Sequence, residues 1–246
     1  MIITIFNEDQ SAKRSILAIN LVALGALNHR KAALIDATSP QYSLNWSVRR
    51  NAVGVKLKIA VHAAESLHSE MENQISTYRT QYREIVIDTD GVDSLHCESA
   101  LVATNVLVVP AWSSQGDLRG HENVIQRIET ARLFNPALRV LVVDVRTISA
   151  FSDAGKRESE AAAAFAKKVL GATLASTVIH ERIDDRRAFD GGLSILECDP
   201  CNEPAAAEIK DLYQEIAGMK DLPMQTANGI AVTNAIQRIL HGKAGI

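Results

Sequence analysis

Short apolar runs rich in β-branched residues alternate along this chain with longer segments of helical period, and that alternation restricts the fold more than any other feature. Candidate strands cover residues 1–6, 31–36, 57–61, 84–88, 105–110, 139–144 and 176–179. Between and after them, helix-like segments cover 14–28, 64–81, 118–134, 156–170 and 205–217. Several of the strands are apolar throughout, as strands are when helices cover both faces of a sheet. The expectation is an α/β fold of seven or eight strands: a mostly parallel, doubly covered sheet with segment 1–6 near its centre. At 246 residues the chain suits one such domain, placed at 1–222. Leu222-Pro223 closes the pattern, and 223–246 forms an extension. Ile230, Val232, Ala235, Ile236, Ile239 and Leu240 there approximate one apolar helix face, suited to packing on its own domain or to association, and less to a membrane surface, since only Arg238 and Lys243 are basic.

The start of the chain has the strand, tight loop and helix order of a Walker A motif, a loop that wraps phosphate with backbone N–H groups. Such a loop needs glycines, because side chains obstruct the close approach of backbone to oxygen. The segment Asn7-Glu8-Asp9-Gln10-Ser11-Ala12-Lys13-Arg14-Ser15 contains none. Read without a ligand, it is an ordinary strand-to-helix connection, with Asp9 or Ser11 as N-cap and Glu8 and Asp9 at the positive end of the helix dipole.

Three blocks together carry a family resemblance: the loop leading into Ala18-Ile19-Asn20-Leu21; Ala33-Leu34-Ile35-Asp36 followed by Pro40-Gln41-Tyr42-Ser43-Leu44-Asn45-Trp46; and Ile85-Val86-Ile87-Asp88 followed by Val106 to Pro110 and Asp117. They resemble the ParA/MinD superfamily of deviant Walker P-loop ATPases, and most closely the ParF-type plasmid partition proteins, over roughly residues 1–220. The resemblance implies a P-loop NTPase fold of the SIMIBI, ParA-like kind. It also implies roles, and shows which are altered. The family loop is Lys-Gly-Gly-x-Gly-Lys-Thr. Here Asp9 stands for the lysine that reaches the partner's nucleotide, and Gln10, Ser11 and Lys13 stand for the three glycines. Arg14 replaces the phosphate-gripping lysine and Ser15 the magnesium-binding threonine. Thr38 stands at the place of the aspartate that positions the attacking water, with one residue inserted before Pro40. Asp88 matches the Walker B aspartate.

Lys13, Arg14, Ser15, Asp36 and Asp88 are thus read as a vestigial nucleotide and magnesium site. No confident catalytic residue remains, since phosphoryl transfer depends on positioning and charge stabilisation. The expectation is a pseudo-ATPase that needs no cofactor and acts in DNA segregation, partition or positioning. Its expected partners are a ParA- or ParB-type partition protein or a conjugation protein, and its self-association would be independent of ATP. The alternative is a working ParA-type ATPase that binds ATP and magnesium through Lys13, Arg14 and Ser15, and non-specific DNA.

A net charge of −3 gives no global attraction to nucleic acid. DNA contact would need a local patch, for which Arg182, Arg186 and Arg187 are the candidates. Asp184, Asp185 and Glu181 beside them support the other reading, a self-neutralising surface. Arg49, Arg50, Lys56 and Lys58 form a second basic cluster with the same two readings. Cys198-Asp199-Pro200-Cys201 has metal-site spacing but no second ligand pair follows, so the cysteines read as incidental. His62 and His68 are too isolated for a metal site. Neither a membrane-length apolar run nor a secretory signal is visible, so a cytoplasmic protein, free or on the nucleoid, is expected.

Overall fold

The computed structural model describes residues 1–7, 12–65, 68–90, 95–112, 118–147, 153–200 and 202–219. Seven strands form one sheet in the order β3-β2-β4-β1-β5-β6-β7, and every pairing is parallel. The strands are β1 (Ile2–Ile5), β2 (Ala32–Ala37), β3 (Ala60–Ala63), β4 (Glu84–Thr89), β5 (Val106–Trp112), β6 (Arg139–Thr147) and β7 (Ala172–Glu181). The helices are α1 (Lys13–Leu27), α2 (Tyr42–Val53), α3 (His68–Gln81), α4 (Leu95–Ala103), α5 (Leu118–Phe134), α6 (Asp153–Lys168), α7 (Ile183–Asp190) and α8 (Glu203–Met219), with a 3-10 turn at Ile195–Glu197.

The expected parallel sheet is present, and β1 is its central strand. All four β1 residues are buried, because helices cover both faces. On one face α1, α2, α7 and α8 pack through Leu17, Leu21, Trp46, Phe189, Ile209 and Leu212. On the other, α4, α5 and α6 pack through Leu101, Val124, Ile128, Phe165 and Ala166, and α3 through Met71 and Ile75. Helix α1 is buried round most of its circumference, which explains why its apolar residues outnumber those of a surface helix.

Element boundaries differ from the sequence reading in three places. The edge strand β3 lies at Ala60–Ala63 rather than 57–61, with all four residues only half buried. Strand β7 runs from Ala172 to Glu181, well beyond 176–179; it is the other edge, and with only Ala175 buried it leaves no continuous apolar run to mark its ends. Helices α2, α4 and α7 are absent from the sequence reading: they are short, and α2 and α7 carry few apolar residues. The extension 223–246, including its apolar stripe, lies outside the described residues.

The strand order reverses beside β1. From β1 the chain moves through α1 to β2, and from β4 through α4 to β5, with α1 and α4 on opposite faces. Such a reversal opens a crevice beyond the carboxyl ends of the strands, where ligands of open α/β sheets bind.

Candidate functional site

The carboxyl ends of β2 and β4 bring two buried aspartates side by side. Asp36 and Asp88 are register partners across that pairing, and Asp88 also faces Ile5 of β1. Both are removed from solvent. Helix α1 aims Arg14 into the same place. Its guanidinium is fully buried, with Nε donating to Asp88 Oδ1 at 3.2 Å and Nη1 donating to the carbonyl of Asn7 at 3.0 Å. Asn7 is held in turn by its amide, which donates to the carbonyl of Pro110 at the end of β5.

The remaining oxygens are also engaged. Ser43, in the first turn of α2, donates to Asp88 Oδ2 at 2.9 Å. Asp36 Oδ1 accepts from the Thr38 backbone at 3.0 Å and the Thr38 hydroxyl at 2.7 Å, and Oδ2 accepts from the Leu44 backbone at 2.7 Å. Asp36 thereby ties the end of β2 to the start of α2. Thr38 also receives the Tyr42 N–H at 3.3 Å, so its hydroxyl is bound on both sides.

Burial dominates the titration of both carboxyls. It pushes Asp36 up to about 6, the charge on Asp88 adds to this, and the donors from Thr38 and Leu44 oppose it. Asp88 is also raised by burial, against the opposing pull of Arg14, Ser15 and Ser43. Ser15 is buried beside Asp88 and lowers its proton affinity, although its hydroxyl makes no well-aligned hydrogen bond.

Of the residues singled out in the sequence, Arg14, Ser15, Asp36, Thr38 and Asp88 converge here. Lys13 does not: its ammonium lies 2.9 Å from Glu181 Oε1, on the β7 side. Ala12, not Asp9 or Ser11, precedes α1, and it makes no side-chain cap. Residues 8–11 and Asp117 lie outside the described residues. Sequence reasoning missed the part played by Ser43 and Asn7. Ser43 falls inside the Pro40–Trp46 block, but nothing local indicates a carboxylate 45 positions away.

Arg182, which precedes α7, and Arg186 and Arg187 within it do not act alike. Arg182 is held by Glu208 of α8, with Nη1 and Nη2 at 2.7 and 2.5 Å from its two oxygens, and its side chain is only 11% exposed. Arg186 lies 3.2 Å from Asp190, and Arg187, 77% exposed, lies 3.7 Å from Asp184. Each described cation of this group therefore has an acidic neighbour.

In the second basic cluster Lys56 and Lys58 are exposed, whereas Arg49 and Arg50 are packed against α7 and the turn after it. Arg50 is buried, makes a two-pronged pair with Glu197 at 2.6 and 2.7 Å, and lies over the ring of Trp46. It also donates to the Gly192 carbonyl at 3.2 Å, and Trp46 Nε1 donates to Leu193 at 3.1 Å. Gly192 has φ +74°, and a Cβ there would lie 2.5 Å from the Arg50 nitrogen, so only glycine allows α2 this close. Cys198 is half buried and its thiol faces the Ser194 carbonyl, whereas Cys201 lies outside the described residues. Among the described residues no group of histidine, cysteine and acidic side chains could hold a metal, and no helix is long and apolar enough to cross a membrane.

No protein-family model and no curated protein matches the sequence. Solved structures do match its shape. A candidate plasmid partition protein of Borrelia burgdorferi bound to AMPPNP superposes with a TM-score of 0.63, at 16% identity, over 89% of this chain and 98% of that one. The fold is that of the ParA/MinD group. The MinD cell division protein of Aquifex aeolicus superposes with a TM-score of 0.64 at 13% identity, over 91% and 99% of the two chains. The cell division ATPase MinD of Pyrococcus furiosus gives 0.63 at 15% identity, over 89% and 98%. The superposition extends over almost the whole of each of those chains. The correspondence with this fold is one of architecture, since identities this low leave the site residues to be judged on their own geometry.

Proposed function

We propose that this chain is a non-hydrolysing member of the ParA/MinD-type positioning systems, a pseudo-ATPase acting in DNA segregation, partition or positioning through protein partners. The observation that carries the reading is the Arg14 guanidinium, sealed against Asp88 and the Asn7 carbonyl. By resemblance this is the residue that would grip phosphate, and Asp88 the one that would help hold magnesium. A cation from the chain itself here neutralises the carboxylate that a metal would otherwise satisfy. Magnesium would need oxygens, yet both oxygens of Asp36 and both of Asp88 already accept hydrogen bonds. Thr38 offers a hydroxyl committed to Asp36 where water positioning calls for a carboxylate. These residues do not fit a magnesium–nucleotide complex, and no hydrolytic step is assigned to them.

The partners of this reading are a ParA- or ParB-type partition protein or a conjugation component, met in the cytoplasm or on the nucleoid. DNA would be reached directly or through that partner. A direct contact would fall to Arg186 and Arg187, since Arg182 is engaged with Glu208.

Calorimetry with ATP and magnesium, with phosphate release in parallel, tests the proposal on the full chain. The expected result is no saturable heat and no release above background, and no ATP-driven dimerisation in light scattering. Turnover in the unmodified protein overturns it. Replacing residues 9–14 with the family's lysine- and glycine-containing loop should restore binding without restoring hydrolysis.

A further inference from the structure

The two edges of the sheet are finished differently. At β7 the outward backbone is occupied by α8. Glu215 accepts the Ser176 and Thr177 N–H groups at 2.9 and 2.7 Å, and Glu208 accepts that of His180 at 3.0 Å. At β3 the Ala64 N–H donates inward, to the Asp36 carbonyl at 2.9 Å. Alternation along the parallel ladder then points the backbone groups of Ala60 and His62 inward too, and those of Val61, Ala63 and Glu65 outward.

Gln74 of α3 covers the carboxyl end of this row. Its amide donates to the Ala63 carbonyl at 2.8 Å and accepts the Glu65 N–H at 3.3 Å, the kind of bonds a further strand would make there. The rest of the edge has no such cover. Among the described residues neither backbone group of Val61 nor the Ala63 N–H has a partner. An uncovered row of this kind is a template for another strand.

Charge selects the strand that fits. Lys56 and Lys58, both exposed, precede β3, and the exposed Glu65 follows it. Glu70, one turn before Gln74 on the same side of α3, adds a second carboxylate at that end. A strand with the same charged ends is matched when it runs antiparallel, basic end against acidic, and repelled when it runs parallel.

We infer that the β3 edge is a self-association surface, on which a second copy of this chain pairs antiparallel about a two-fold axis at Val61. In that register the two Val61 residues exchange both of their free backbone groups, the two bonds that an antiparallel hydrogen-bonded pair makes. Each Ala63 N–H meets the Ile59 carbonyl of the other copy, and Lys58 approaches Glu65 across the axis. On the α3 face His62, its ring 4.6 Å from that of Tyr78, comes opposite the small Ala60. The register uses no group of the aspartate site, so the inference holds whether or not the chain binds nucleotide.

Sedimentation equilibrium of the full chain without nucleotide is the test. A reversible monomer–dimer equilibrium is expected, weakening as salt rises because the end charges are exposed. Val61→Pro removes the outward N–H but none of the bonds between β2 and β3, and should abolish the dimer while the chain stays folded by circular dichroism. Lys58→Glu should weaken the dimer about tenfold, since the change acts twice across the axis. Lys58→Glu combined with Glu65→Lys should restore it, an arm that decides the matter should Val61→Pro fail to fold. A chain that is monomeric at every concentration overturns the proposal and leaves the edge to a strand of another protein. A dimer that persists in folded Val61→Pro overturns it as well, as does a charge swap that associates no more tightly than Lys58→Glu alone.

Discussion

Strand β4 buries a carboxylate at each end, and the two are neutralised in different ways. At the carboxyl end Asp88 meets a fully buried arginine and a serine hydroxyl, so each oxygen has a donor. At the amino end Glu84, equally buried, receives the Tyr213 hydroxyl at 2.6 Å, and a half-exposed Arg30 only at 3.5 Å. Its other oxygen has no hydrogen bond and presses on Gly25 of α1, where a Cβ would come within 2.3 Å. Glycine is required there by proximity rather than by dihedral angle. Burial raises the proton affinity of both carboxyls; Arg14, Ser15 and Ser43 oppose it at Asp88, and the Tyr213 hydroxyl, Arg30 and the chain's amino group at Glu84. The first site is closed and self-sufficient, as the pseudo-ATPase reading expects. The second is a structural pin joining α1, α8 and the sheet.

The comparison breaks most sharply at Arg14. Arg14→Met keeps the volume and leaves Asp88 buried without its cation, and the expected loss of stability is about 3–5 kcal/mol by urea denaturation. The double variant Arg14→Met, Asp88→Leu should recover most of that loss, because the uncompensated charge goes with its partner. If the single variant is as stable as the native chain, the closed-site description is wrong.

Tyr213→Phe tests the other end. It removes the only short hydrogen bond Glu84 makes, and a loss of about 1.5–3 kcal/mol is expected, less than for Arg14 because Arg30 and solvent at the rim remain within reach. Gly25→Ala should follow at about 1–3 kcal/mol, since the carboxylate must shift in a packed interior. Combined with Glu84→Gln, which leaves the crowding in place, the Gly25→Ala penalty should persist. With Glu84→Ala it should largely disappear, and thermal unfolding of Gly25→Ala against its parent in each of the three backgrounds separates crowding from charge.

These two ends also differ in how far the sequence reveals them. Asp88 closes an apolar run and matches a motif, so its importance is visible from Ile85-Val86-Ile87-Asp88 alone. Glu84 opens the same run and reads as an ordinary exposed strand start. Its burial follows from α8 arriving overhead with Tyr213, 129 positions away. Arg14 and Lys13 are adjacent cations in sequence, yet one turns inward to Asp88 and the other outward to Glu181, a choice made by the helical rotation between neighbouring residues. The sheet and its central strand were legible because buried parallel strands leave continuous apolar runs. Helices α2 and α7 were not, because each covers the core with few apolar residues and much of its attachment is polar, through Arg50, Trp46 and the Gly192 turn.

The smallest effect expected is a pH slope, and its sign follows from the direction of the shifts. Asp36 has an ordinary value of 3.8 and is pushed up to about 6 in the fold, so between those values the folded chain binds more protons than the unfolded one. Stability contributed by protonated Asp36 is therefore full below about pH 4 and falls as pH rises to about 6. The steepest slope is about 1.4 kcal/mol per pH unit for one proton. Asp185, also pushed up to about 6 mainly by burial, adds a fall of the same sign. Glu197 and Glu208 are lowered, so their contributions are lost only below the usual carboxylate range. His62 is lowered by burial and works in the opposite direction, since protonation as pH falls disfavours the fold. Comparing Asp36→Asn with the native chain removes these shared contributions. The variant will be less stable throughout, because its amide nitrogen must face a donor from Thr38 or Leu44. Its stability should nonetheless decline less between pH 4 and pH 6. Urea midpoints across that interval give the measurement, and parallel declines in the two chains would assign the titration elsewhere than Asp36.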